Sequence, residues 1–200
     1  MENLQIGTYG WRHQNWLDSF YPDDLPEDWQ LDYFSNAYRV LLVPMSDWLN
    51  WQSSDLEEVA DSVEAPFYFY LAVEHELDAQ QLEQLKAVVS ELGESAAGMV
   101  AWKSELVEQL KPINLPVTLV SENECLSGWS WQSAGMTFSG NPLVVLTELP
   151  ADGKAQVEIL KSFMQSLPPE IGGAPLIVGG DSIDMALVAN LKTVGELLGF

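Results

Sequence analysis

Ile6-Gly7-Thr8-Tyr9-Gly10-Trp11, then Trp16, then Phe20-Tyr21-Pro22, is the stretch on which the reading of this chain turns. Its first residues form a short β run that ends at Gly10. Beyond Gly10 the chain enters a glycine-hinged loop rich in large side chains, as at the carboxyl end of a first strand. Past Pro26, Asp28 is placed to cap a helix to about Asn36 that offers Trp29, Tyr33 and Phe34 to a core. Val40-Leu41-Leu42-Val43 is then apolar throughout, which suits a strand covered on both faces, as in a parallel sheet.

The same alternation continues along the chain. Ser54 with Glu57 reads as a capping box for a helix bearing Leu56, Val59, Ala60 and Val63. Pro66 ends that phase, and Phe67 to Val73 is the strongest strand, aromatic and uninterrupted. Asp78 caps a helix with Leu82, Leu85, Val89 and Leu92 on one stripe, closed by Gly93. Ala96 to Ala101 (strand), Ser104 to Leu110 (helix) and Pro116 to Val120 (strand) repeat the unit. A single helical turn is expected within residues 122–128, and at best a brief strand at Met136-Thr137-Phe138. Leu143 to Leu146 is again a buried-type strand. Two more helices are expected, at 153–167 and after Asp181 or Ser182, separated by the strand Leu176-Ile177-Val178. Up to eight strands alternating with helices predict one α/β domain over residues 1–200: a compact (β/α)8 TIM-like barrel, complete or degenerate. An open doubly wound sheet is the alternative. At 200 residues such a barrel has short loops, and regularity should fail between 122 and 141.

Composition narrows function. Eight basic against thirty acidic residues give a formal charge of −22. Such a field repels nucleic acid and anionic membrane surfaces and attracts a cation or a basic protein partner. Its simplest role is to solubilise the surface. Met1-Glu2-Asn3-Leu4-Gln5 carries no targeting pattern and no long apolar span is present, so a cytoplasmic location is expected. Cys125 is the only cysteine, which excludes an internal disulfide and a cysteine metal site. Nucleophile-elbow, Walker and dinucleotide glycine motifs are absent, and no cofactor is expected.

Residues 6–11, Trp16 and Phe20-Tyr21-Pro22 resemble the opening signature of the YecE-like proteins, also called domain of unknown function 72, which have a TIM-barrel-like fold. Leu25-Pro26, Tyr33 and the Ala186 to Leu191 stretch are similar too. The resemblance implies polar residues on the later strands that this chain lacks. Leu41 and Val43 stand where a glutamate and an asparagine are expected, and Ala72 stands for a lysine. Val117 to Ser121 and Val144 to Glu148 replace the arginine- and histidine-bearing strands, and Gly180-Asp181 a pair of asparagines. The chain thus resembles a short, divergent member whose ancestral polar site is largely lost.

In barrels of this kind function gathers at the carboxyl ends of the strands. That end collects Tyr9, Trp11, Arg12 and His13, then Asp47 and Trp48, then Glu74, His75 and Glu76, with Glu122, Glu148 and Asp181 beyond. The ligand-binding set expected from these is Trp11, Arg12, His13, Asp47, Trp48, Glu74 and His75. Their spacing matches no metal motif, so no metal is expected, and solvated loop charges are the plainer account of Glu74-His75-Glu76. Trp11, Trp16, Trp48 and Trp51 could stack on a sugar or base, although most aromatics in a barrel are packing. Arg12 either anchors a nearby carboxylate or meets an anionic ligand. Gly179-Gly180 before a helix suggests a phosphate cradle, but Asp181 and Asp184 would repel a phosphate. Two functions stand: a small-ligand site at the mouth, or a non-enzymatic interaction scaffold with an acidic surface. A fold alone names no reaction.

Overall fold

The computed structural model describes residues 4–200; Met1 to Asn3, the start of the stretch without a targeting pattern, lie outside the described residues. In chain order the elements are β1 (Leu4–Tyr9), α1 (Gln30–Ala37), β2 (Val40–Val43), α2 (Met45–Trp48), α3 (Ser53–Asp61), β3 (Tyr68–Val73) and α4 (Ala79–Leu92). Next come β4 (Ala96–Ala101), α5 (Ser104–Leu110), β5 (Val117–Ser121), β6 (Trp129–Ser133), β7 (Met136–Gly140), β8 (Val144–Leu146), α6 (Gly153–Ser166), β9 (Ala174–Val178) and α7 (Met185–Leu198).

The nine strands form one sheet in the order β6-β7-β5-β4-β3-β2-β1-β9-β8. Pairing is parallel from β5 through β1 to β9 and β8, and antiparallel where β7 joins β5 and β6 joins β7. The protein is therefore a mixed α/β fold built on a curled sheet. Of the compact, complete or degenerate (β/α)8 barrel expected, the structure shows the α/β character and the curl: the ladder has nine strands and runs from β6 to β8, which do not pair with each other.

Physically, the chain turns back on itself at 129–140. Trp129 and Trp131 are buried while Ser130 and Gln132 are exposed, the period of a half-covered strand. Ala134 and Gly135 take positive φ at the turn. The result is a hairpin where a barrel would have one strand and its helix, and the helical turn expected within 122–128 is absent. The free side of the hairpin meets α6. Trp129 Nε1 donates to Ser166 Oγ and Trp131 Nε1 to Ser162 Oγ, each at 3.0 Å. Both indoles pack edge-on against Phe163.

Helix boundaries follow their caps. Asp78 and Gln81 close a reciprocal capping box at the start of α4, and Gly93 ends it at φ 54°. The box on α3 is made by Gln52 and Asp55 and not by Ser54 and Glu57, so that helix begins two residues earlier. Gln30 starts α1 after a 3-10 turn, Glu27–Trp29, so Asp28 does not cap it. Asp184, and not Asp181 or Ser182, caps α7 by accepting from the Ala186 and Leu187 amides. Among the described residues, no helix is long and apolar enough to cross a membrane.

The signature stretch is welded into this frame. Gly7 is obligatory, because a Cβ there would run into the Val40 carbonyl oxygen on the neighbouring strand. Gly10 turns the chain out of β1 at φ 77° and donates to Leu42 O at 2.8 Å. Trp16 is fully buried among His13, Phe20, Tyr21 and Phe34. Its indole N–H donates to the Ile183 carbonyl at 2.9 Å, tying the loop after β1 to the loop after β9.

Candidate functional site

The carboxyl ends of β1, β2, β3 and β9 surround an open cleft of about 420 Å³. β1 supplies Tyr9, and the loop beyond Gly10 supplies Arg12 and His13. α2, which continues directly from β2 through Pro44, supplies Asp47. Glu74 comes from the residue after β3, and Asp181 from the turn after Gly180.

The Tyr9 hydroxyl donates to Glu74 Oε1 across the cleft floor. Burial, then this hydrogen bond and the negative charges of Glu74 and Asp47, push the Tyr9 phenol well above its ordinary value. It stays a neutral donor at any physiological pH. Burial also raises the Asp47 carboxyl, against the lowering pull of the Ser46 hydroxyl, Arg12 and His13. His13 places Nε2 2.9 Å from the Tyr9 carbonyl and its ring 4.5 Å from Trp16. Arg12 lies 4.9 Å above the Trp11 ring and 3.7 Å from Glu27 Oε1. That ion pair is half exposed and weak, so the cation–π stack does more to fix the guanidinium.

Of the residues expected to bind a ligand, Arg12, His13, Asp47 and Glu74 come together here. Trp11 is buried and lines a neighbouring cavity beyond Arg12. Trp48 lies beneath the surface, 0% exposed, with its indole N–H donating to the Ala72 carbonyl at 2.8 Å. His75 is exposed, its Nδ1 3.0 Å from Glu76 O, and lies outside the cleft lining. Trp16 and Trp51 are buried as well, so this quartet of tryptophans packs and presents no open stacking face. Gly179-Gly180 does not abut a helix start, since α7 begins at Met185, and no phosphate cradle forms there. Among the described residues, no group of three or more histidine, cysteine and acidic side chains could hold a metal ion.

Sequence reasoning missed a second constellation. Asp55, Glu58 and Ser62 recur at helical spacing along and just past α3 and line the cavity that Trp11 also lines. The 3-4 periodicity of polar residues on one stripe is its only signal in the sequence, and solvated helix faces carry the same one.

The same architecture is found among solved structures. A DUF72 family protein of Enterococcus faecalis V583 superposes with a TM-score of 0.50 at 7% identity, over 96% of this chain and 95% of that one. The chain has the DUF72 fold. A second DUF72 family protein, from Thermotoga maritima MSB8, gives a TM-score of 0.49 at 11% identity, over 98% of this chain and 99% of that one. No protein-family model and no curated protein matches the sequence. DUF72 is also the family that residues 6–22 resemble, and at such identity the likeness is one of architecture.

Proposed function

We propose that the protein binds a small neutral or cationic polar molecule in the strand-end cleft, as an opened and divergent YecE-like barrel would at its mouth. The observation that carries this is the Tyr9–Glu74 hydrogen bond, which holds a permanently protonated phenol and a carboxylate at the floor of an accessible cleft. Asp47, Glu74 and Asp181 outnumber Arg12 and His13 along its walls. With the formal charge of −22, they select against anions. Donors and acceptors on opposite walls suit hydroxyls and amines, and no reaction is assigned to them.

A thermal-shift screen against sugars, amines, nucleosides and divalent cations tests this reading. A ligand at 100 times its dissociation constant stabilises the fold by about 2.7 kcal/mol, or roughly 5–11 °C at this size. The shift should disappear in Glu74→Ala and shrink in Tyr9→Phe. A panel with no hit, or hits indifferent to both substitutions, would sink the proposal.

A second reading, a non-enzymatic scaffold for a basic protein partner, draws on the surface around the signature loop. Trp29 is 64% exposed there and Leu17 and Tyr33 are also open to solvent. Tyr33 rests edge-on against Phe20, and Asp18, Asp23, Glu27, Asp28 and Asp32 punctuate the same segment.

A further inference from the structure

The sheet ends on two outer edges, and they are not alike. β8 has three residues, all buried, which leaves no room for another strand beside it. β6 has five, and its only neighbour in the sheet is β7. Among the described residues, no backbone group of Trp129 to Ser133 bonds to a loop or a helix. α6 meets β6 through the Trp129 and Trp131 side chains, on one face of the strand. Ser130 and Gln132, on the opposite face, are exposed. The space at both ends of the strand is open, since a Cβ added at Gly128 or Gly135 would meet nothing within 4 Å.

An unpaired strand edge is a template for another strand, and folds usually guard it with charge, proline or a bulge. β6 carries none of these guards. Its five pairings with β7 run without a register break, and no proline falls within residues 128–141. All thirty acidic and all eight basic residues lie outside residues 125–147, the longest stretch of the chain without a charge. Two copies of a chain of formal charge −22 repel each other wherever their acidic surfaces meet, so contact between them needs an uncharged surface. A basic partner or a nucleic acid finds no charge to read there. The edge matches a neutral strand of its own length, and β6 is itself such a strand.

We infer that the outer edge of β6 is a homodimer interface, where two copies lay this strand antiparallel across a two-fold axis and join their sheets into one. With the axis at Trp131 all five residues pair: Trp131 with its own copy, Ser130 with Gln132 of the second copy, and Trp129 with Ser133 of the second copy. One surface supplies both halves of such an isologous contact. Main-chain hydrogen bonds give the affinity. Gln132 already gives its Nε2 to Thr137 Oγ1 at 3.0 Å, which leaves its Oε1 to accept from the Ser130 hydroxyl of the second copy, twice over by symmetry. A five-residue edge is small beside a standard interface of about 1,600 Å², so half of the chains should pair only at a concentration on the order of 100 μM. The strand-end cleft takes none of its lining from residues 125–147, so the two sites stand or fall separately.

Analytical ultracentrifugation of the intact chain from about 10 μM to about 1 mM tests this, with amide hydrogen exchange over residues 129–133 at both ends of that range. A monomer–dimer equilibrium is expected, tightening several-fold as salt rises from about 0.05 to about 0.5 M, because screening relieves the repulsion of two acidic chains. The β6 amides that point away from β7 should exchange freely in the dilute sample and gain protection in the concentrated one. Ser130→Glu combined with Gln132→Glu, both at exposed positions, sets like charges opposite one another across the axis and should raise the dissociation constant at least about tenfold. Ser90→Glu combined with Thr193→Glu adds the same two charges at exposed positions of α4 and α7 and should change it less than about twofold. A chain that stays monomeric at the highest concentration and salt overturns the inference, as does a dimer that the Ser130 and Gln132 substitutions leave intact. A dimer whose β6 amides gain no protection overturns it too, because its contact then lies elsewhere. Should the doubly substituted chain fail to fold, the exchange and salt series on the unaltered chain decide the matter.

Discussion

Replacing Trp16 should loosen the fold more than any other single change in the signature loop. Its indole is fully buried and touches four aromatic rings, with Phe34 stacked at 6.3 Å and 5°. Truncating a buried tryptophan to alanine costs about 3–5 kcal/mol in lost contacts and cavity. The hydrogen bond to Ile183 O adds little to that figure, because the same carbonyl keeps the Asn15 Nδ2 donor at 3.0 Å and is not stranded. Trp16→Phe keeps most ring contacts and loses one hydrogen bond worth about 0.5–1.5 kcal/mol, so it should cost about 1–2 kcal/mol with the smaller ring included. At 200 residues each kcal/mol moves Tm by about 2–4 °C. The Tm of Trp16→Ala should therefore fall by roughly 6–20 °C and that of Trp16→Phe by only a few degrees, read by circular dichroism on heating and by urea titration. A loss below about 1 kcal/mol for Trp16→Ala would refute the view that this loop is part of the core. Equal losses for the two variants would shift the weight from packing to the bond with Ile183.

Two predictions concern pH. Burial pushes the Tyr38 and Tyr70 phenols up to about 12 from an ordinary 10.0, and Tyr9 and Tyr21 further still. The neutral phenol is favoured in the folded state, so this contribution is complete below pH 10 and is lost as pH climbs through about 12. Urea midpoints should fall across that window, and a flat midpoint would contradict it. For Asp47 the folded carboxyl prefers its proton, so its ionised form destabilises the fold at neutral pH. Asp47→Asn should raise the midpoint at pH 7, the advantage vanishing as pH falls below the ordinary 3.8, and a less stable variant at pH 7 would count against a desolvated carboxylate.

Much of the frame was legible because local signals and burial agreed. Val40–Val43, Ala96–Ala101 and Ser104–Leu110 lie where continuous apolarity and helical spacing place them. Phe67 is one residue too early for β3, yet it packs on Phe69 and Phe34, so its apolar character is legible in the sequence and its backbone state is not. The hairpin of β6 and β7 is hard to read because its first strand alternates tryptophan with serine and glutamine. That pattern belongs to an antiparallel sheet and is masked by the parallel units on either side. At the site, the strand-end rule collected Arg12, His13, Asp47 and Glu74, but position along a strand does not report depth. Trp11 and Trp48 sit at the right places in the chain and below the surface, because packing in the loop after β1 and beneath α2 encloses them.

The position of β9 between β1 and β8 has a consequence for the order of synthesis. β1 finds β2 within a few dozen residues, but its other edge pairs with Leu176 and its neighbours, and β8 has no sheet partner except β9. At about 5–20 residues per second, the ribosome leaves that flank of the first strand uncovered for on the order of ten seconds before the closing strand is made. The nascent chain thus carries a template edge for nearly its whole birth, and the insertion of one five-residue strand retires two open edges at once.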